Sequence, residues 1–341
     1  MTHRQWVAVL AALAAGCSDA LEQNTTVGQF VAVATSGTSA VTLISASDFS
    51  ATVLTLPTIG AANITGRGSV LAITVDSGRS GTLALGDLAQ RRDGPIRLIK
   101  LDTTATLSGA AIANDSLAWV ADSGLARLWR VRYRTGDTAS VLSAAPVARA
   151  EIVTTAGKVF VPATVTGVLG FSQALAVLDG ATGAARSRIF LSIGVFRHLI
   201  VGGDSLLYVV SDTAGSANRL AIVDPVAEQE LVVIDNVGPT PGRPVFHPSG
   251  RLLIPTAGAG IVEVNTLTRV VSRGPGQGIR PQGDSVIVAL AVDQGGRVYA
   301  LDAAAGSTGI VRILAAPPDY GVLASVTVGA GPMAAAVAAI P

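Results

Sequence analysis

One pattern recurs seven times along this chain and restricts its architecture to a repeat fold. A β-branched or aromatic burst ends on a small, mostly polar residue. It reads Ala32-Val33-Ala34-Thr35, Ile73-Thr74-Val75-Asp76, Trp119-Val120-Ala121-Asp122 and Phe160-Val161-Pro162-Ala163. It continues as Tyr208-Val209-Val210-Ser211, Leu253-Ile254-Pro255-Thr256 and Tyr299-Ala300-Leu301-Asp302. Successive bursts lie 41, 46, 41, 48, 45 and 46 residues apart. A unit of that length holds four short strands, the size of one propeller blade.

Other short strands fill the rest of each unit. Third strands are expected at Ala40–Ile44, Arg127–Tyr133, Ala174–Leu178, Arg219–Val223, Gly260–Val264 and Gly309–Leu314. Fourth strands follow at Ala51–Leu56, Ser140–Ser143, Arg188–Ser192, Leu231–Asp235 and Leu323–Val328. First strands of the next unit are expected at Glu151–Thr154, His198–Val201, Pro244–His247 and Val286–Val292. Turn chemistry separates them, as in Asp179-Gly180-Ala181-Thr182-Gly183 and Asp224-Pro225. The two ends complement each other. Nothing just before Phe30 reads as an inner strand, whereas Ala334–Ile340 reads as an inner strand with no successor. The expectation is an all-β, seven-bladed propeller of four-stranded antiparallel blades over residues 29–341. Its C-terminal strand would join the N-terminal blade, close the ring and remove an exposed edge.

Trp119-Val120-Ala121-Asp122-Ser123-Gly124 and Tyr208-Val209-Val210-Ser211 resemble the Tyr-Val-Thr-Asn segment of the YVTN/NHL-type β-propeller repeat proteins. His247-Pro248-Ser249-Gly250-Arg251 resembles that family's Ser-Pro-Asp-Gly turn. The resemblance covers about residues 29–341, and blades 1, 2 and 7 match by pattern alone. It implies a propeller, and it says little about function, because propellers host many unrelated activities.

Composition excludes several classes. Apolar residues make up 49% and charged residues 14%, enough to bury a large core and too apolar for a disordered chain. The apolar residues come in short bursts, and no uninterrupted run of about 18 reads as a spanning helix. A net charge of +1 gives no global basic field to gather nucleic acid.

The N-terminal residues read as an export signal. His3 and Arg4 form a short positive region, and Trp6–Ala15 is an apolar stretch too short to span a bilayer. Leu13-Ala14-Ala15-Gly16-Cys17 resembles the bacterial lipobox, with one departure: its leucine stands four residues before the cysteine instead of three. The alternative is an ordinary secretory signal that leaves a free thiol. Cys17 is the sole cysteine of the chain and stands where acylation requires it. The expected organisation is a signal peptide at 1–16, a lipidated tether at 17–28 and the propeller beyond. Acyl chains contribute about 0.8 kcal/mol per buried CH₂, so two or three anchor stably. A tether of this length reaches at most about 36 Å. Under the sorting rule of the lipoproteins that this segment resembles, Ser18 after the cysteine implies the periplasmic or surface side of the outer membrane in a Gram-negative source.

Candidate binding residues cluster at the loops that join fourth to first and second to third strands, which open on one face, the top. Arg149, Arg197 and Arg243 each begin an inner strand, 11, 11 and 10 residues before Phe160, Tyr208 and Leu253. Arg280, in the Gly274–Gly283 loop read as a flexible connection, can join them. One reading is a basic funnel, because guanidinium forks suit carboxylate or phosphate. The other is structural, with Asp122 and Asp212 pairing arginines between neighbouring blades. Glu151 is read as a partner of Arg149 or of a neighbouring blade, His198 as a channel-wall histidine, and His247 as part of a hairpin turn. Phe171 lies in the long 2→3 loop of blade 4 as a further contact residue. Arg130, Arg132 and Arg134 alternate along one strand and read as a solvated outer face.

Three histidines, one of them in the leader, and five glutamates leave no metal-ligand set, so neither metal nor cofactor is expected. No Gly-x-Ser-x-Gly elbow precedes a helix, and the 274–283 loop lacks the features of a phosphate loop. The functional expectation is a monomeric, non-catalytic envelope lipoprotein that recognises a protein, peptide or glycan through its top-face loops. The alternative is a lactonase-like hydrolase or lyase with its site in the axial channel.

Overall fold

The computed structural model describes residues 28–340, except 37, 57–59, 76–80, 91–96, 142–143, 169, 214–217, 283–285 and 304–307. Blade 1 contains β1 (Gly28–Thr35), β2 (Ala40–Ser45) and β3 (Ala51–Thr55). Blade 2 is β4 (Ala61–Arg67), β5 (Val70–Val75), β6 (Thr82–Asp87) and β7 (Arg97–Lys100). Blade 3 is β8 (Leu107–Ile112), β9 (Leu117–Asp122), β10 (Arg127–Arg132) and β11 (Asp137–Val141). Blade 4 is β12 (Val153–Thr155), β13 (Lys158–Thr164), β14 (Gln173–Asp179) and β15 (Ala185–Ile189). Blade 5 is β16 (Phe196–Val201), β17 (Leu207–Ser211), β18 (Arg219–Asp224) and β19 (Gln229–Asp235). Blade 6 is β20 (Val245–His247), β21 (Arg251–Thr256), β22 (Gly260–Asn265) and β23 (Val270–Arg273). Blade 7 is β24 (Ile287–Val292), β25 (Val298–Asp302), β26 (Gly309–Leu314) and β27 (Val322–Val328). The last strand, β28 (Pro332–Ile340), returns to blade 1 and pairs with β1, giving the order β28-β1-β2-β3. The result is a ring of seven antiparallel four-stranded sheets, closed as the two chain ends predict.

The core is not central. Seven clusters of buried side chains each lie between two neighbouring blades. A second strand therefore buries both of its faces. Val31 and Val33 pack in the blade 7–1 cluster, while Ala32 and Ala34, pointing the other way, pack in the blade 1–2 cluster. That is why the repeating bursts read as continuous apolar runs without the alternation of a one-sided sheet.

The polar residue that ends most second strands has a structural task. Asp122 is fully buried and accepts from the Thr106 and Leu125 amides, at 3.1 and 3.0 Å, and from Trp129 Nε1 at 3.1 Å. Asp302 accepts from the Val286 amide at 3.0 Å and from Arg312 Nε at 3.1 Å. Thr256 Oγ1 donates to the Gly260 carbonyl at 2.9 Å. Each satisfies backbone groups of the adjoining top loops, which would otherwise be buried without a partner.

Polar pins also cross between blades. Trp119 Nε1 donates to the Gly180 carbonyl at 3.0 Å, from blade 3 to blade 4. Lys158 Nζ in blade 4 reaches the Pro225 carbonyl of blade 5 at 2.8 Å and Glu228 Oε1 at 2.6 Å. His247 ends β20 beside the expected hairpin turn, and its Nε2 lies 2.8 Å from the Gly296 carbonyl of blade 7.

Two local expectations need correction. The connection from blade 6 to blade 7 is not simply a flexible run: Pro275–Gln277 forms one 3₁₀ turn, and Ile279 exchanges two backbone hydrogen bonds of 2.9 Å with Ile261. Of the three alternating arginines, Arg134 lies past the end of β10, and Arg130 is half-buried with its Nη1 on the Ala181 carbonyl at 3.2 Å.

Candidate binding mouth on the propeller axis

The inner strands of all seven blades begin at the top face, and their first residues bound a cavity of about 600 Å³ on the axis. The way residues enter this cavity is unusual. In five inner strands the pairing register slips near the top, so extra residues stand without a direct partner. Those residues include Ala62 in β4, Ser108 in β8, Arg197 in β16, Val288 in β24 and Met333 in β28. All five line the mouth. A bulge interrupts the ladder and re-aims a side chain, and bulges concentrate beside functional sites. Arg197 and His198 are consecutive yet both line the cavity; a regular strand would send them to opposite faces.

Blades 4 and 6 achieve the same end differently. Their inner strands β12 and β20 have three residues each, and irregular backbone precedes them. This backbone carries Arg149 and Glu151 in blade 4 and Arg243 in blade 6. Arg149 adopts a left-handed backbone conformation, φ +59°. Such a conformation is uncommon for a residue with a Cβ and turns the side chain out of a regular path.

The charged groups are arranged as follows. Glu151 is buried, and its Oε2 accepts from the Leu199 amide at 3.3 Å. Its Oε1 lies 3.3 Å from His198 Nδ1 and 3.8 Å from Arg243 Nε. The His198 contact is a close approach and not a hydrogen bond. Arg243 also donates from Nη1 to the Ile64 carbonyl at 3.2 Å. Ile64 belongs to blade 2, so this guanidinium spans the axis and forms part of the cavity floor. Arg197 Nε binds the Asp212 carboxylate of its own blade. Arg149 is exposed, lines the cavity and takes no described residue as a side-chain hydrogen-bond or ion-pair partner.

The three arginines predicted at the inner-strand starts therefore do converge, but they are not equivalent. Arg197 and Arg243 are held by internal carboxylates, and Arg149 alone presents a free fork. Glu151 pairs with blades 5 and 6 and not with Arg149. Asp212 pairs within its blade, not with a neighbour, and Asp122 binds amides and an indole. Arg280 lies outside the cavity wall, where its Nη2 donates to the Gly258 carbonyl at 2.6 Å. Phe171 also lies outside it, exposed, with its ring centroid 5.0 Å from that of Phe190. Cys17 and the leader fall outside the described residues. Among the described residues, no three His, Cys, Asp or Glu side chains gather as a metal-ligand group, and no helix is long and apolar enough to cross a membrane. Sequence reasoning missed Ala62, Ser108, Val288 and Met333. An extra residue is defined only against the partner strand, so a single strand carries no signal for it.

The fold is shared with solved structures of low identity. A protein described as functionally unknown from Desulfotomaculum acetoxidans aligns with TM-score 0.65 at 12% identity, over 92% of this chain and 99% of its own. Hydrazine synthase of Kuenenia stuttgartiensis aligns with TM-score 0.61 at 16% identity, over 81% and 89%. Apo AztD from Citrobacter koseri aligns with TM-score 0.58 at 14% identity, over 92% and 98%. The class defined is the β-propeller; at these identities the likeness extends to the fold alone. The sequence matches no family model and no curated protein.

Proposed function

We propose that this chain is an exported, lipid-anchored, non-catalytic binding propeller that receives an anionic group of a protein, peptide or glycan at its axial mouth. The convergence of five bulged residues on one cavity carries the reading. Each bulge interrupts the ladder at the top of an inner strand and brings its extra residue to the mouth. The unpaired guanidinium of Arg149 supplies the recognising group, since a fork of fixed N–H donors matches an oxyanion in two bonds.

The anchored part of the reading fixes which end of the ring faces the bilayer. Gly28 pairs with Ile340, at the end of β28 opposite Met333 and the mouth. A tether that enters at Gly28 leaves from the bottom face. With Cys17 acylated, the mouth points away from the bilayer, toward partners in the envelope space. The segments that resemble YVTN/NHL repeats and the lipobox at Cys17 favour the same assignment.

Two measurements test it. Cys17→Ser is expected to abolish incorporation of labelled palmitate and move the chain from the membrane to the soluble fraction. Retained label in the variant sinks the anchor. For the mouth, titration calorimetry with a panel of anionic peptides and oligosaccharides is expected to find a binder. Arg149→Gln is expected to weaken that binder about tenfold or more, the effect of losing a charge-assisted contact. Binding unchanged in the variant, or absent across the panel, ends the case for this site.

A further inference from the structure

The mouth is chemically divided. Blades 4, 5 and 6 supply all of its charged side chains, while blades 7 and 1 supply Val286, Val288, Met333 and Ala334. In a ring of seven, blade 4 stands across the axis from the junction of blades 7 and 1. Part of the apolar half reaches water. Val286 is 42% exposed and Met333 is 37% exposed, and both line the mouth. Met333 and Val288 are both bulge residues, so the ladder is broken to direct apolar groups toward water at this point. Exposed apolar surface of this kind, inside a concave site, marks a surface that a ligand covers.

The charge count narrows the ligand further. Arg149, Arg197 and Arg243 share the mouth with Glu151 and Asp212, three guanidiniums against two carboxylates. One guanidinium is left without a carboxylate, that of Arg149. A single surplus charge suits a monoanion and underpays the desolvation of a dianion such as a phosphate monoester. The cavity volume lies in the range of sites for small organic ligands.

We infer that the mouth binds a monocarboxylate bearing an apolar body, its carboxylate on Arg149 and its body against Met333, Val288 and Val286. This deepens the anion-binding reading above and rests on it. Both a free organic acid and the C-terminal residue of another chain carry this chemistry.

Titration calorimetry on the whole propeller separates the possibilities. The probes are octanoate, the hydrophilic carboxylate gluconate, and a peptide ending in leucine as the free acid and as the amide. Octanoate or the free-acid peptide is expected to bind about tenfold or more tightly than gluconate, and Arg149→Gln is expected to lose that binding about tenfold. Met333→Ser and Val286→Ser, both at exposed positions and both exchanging apolar surface for a hydroxyl, are expected to weaken the apolar ligand more than gluconate. Preference for octanoate identifies a free acid; preference for the peptide acid over its amide identifies a chain terminus. Gluconate binding as well as octanoate and the peptide acid overturns this inference and leaves the general anion reading standing. Failure of every carboxylate to bind overturns this inference, and failure of the anionic peptide and oligosaccharide panel as well overturns both. Serine variants that bind the apolar ligand normally also overturn the inference.

Discussion

Deletion of residues 332–341 is expected to abolish the single cooperative unfolding transition of the ring. The strand lost, β28, pairs with β1 over eight residue pairs from Gly28 to Thr35. Its removal strips the inner edge of blade 1 and uncovers Val31, Ala32, Val33 and Ala34, all fully buried in the intact protein. It also removes the inner wall against blade 2, where β28 and β4 approach so closely that a Cβ on Gly66 would stand 2.2 Å from the Val337 carbonyl oxygen. The ladder alone contributes about 1 kcal/mol per hydrogen bond. With the apolar surface uncovered, the loss rivals the roughly 5–15 kcal/mol that holds a typical domain together. Scanning calorimetry reads the outcome. A sharp transition within about 5 °C of the intact chain would contradict closure through this strand.

The second large effect is expected at Glu263, a buried carboxylate on β22. Its Oε1 accepts from Arg251 Nε at 3.1 Å and from Ser272 Oγ at 2.6 Å, and its Oε2 accepts from the Tyr320 hydroxyl of blade 7. Glu263→Ala leaves a guanidinium and a buried phenol without their acceptor. Breaking a buried network of this kind costs about 3–5 kcal/mol. For a ring of this size that corresponds to a fall in Tm of roughly 5–8 °C.

The same group carries a pH signature. Burial pushes the Glu263 carboxyl up, but Ser272, Tyr320 and Arg251 together outweigh burial and hold it below the usual glutamate range. A depressed native value means the unfolded chain takes up the proton first as pH falls. The contribution is thus complete above the unfolded value of about 4.3 and is lost as pH falls through the native one. Denaturant titrations at neutral pH and near pH 4 are expected to show a smaller acid loss in Glu263→Gln than in the natural sequence. Equal acid losses would remove Glu263 from the account.

The legible and the hidden parts of this molecule differ in physical kind. The blade count, the strand order and the closing strand were readable because each second strand repeats the same local demand. It must be apolar on both faces and end in a residue whose side chain can satisfy loop backbone. Trp119–Asp122 and Tyr299–Asp302 meet that demand in the same way, and so they recur at a fixed spacing. The arginines were readable as a convergent set because inner strands begin at the same end of every blade. Their inequality was not. Arg243 reaches the Ile64 carbonyl across some 180 positions of chain, and Glu151 takes its partners from two later blades. No local pattern encodes either contact.

The sequence by itself determined the repeating sheet, the number of repeats and the way the two ends meet, because these follow from periodic burial and turn chemistry within one unit. Only the tertiary structure decided which side chains enter the mouth. A bulge exists only relative to the strand beside it, and the free fork of Arg149 opposite Met333 emerges only when blades far apart in the chain face one another across the axis.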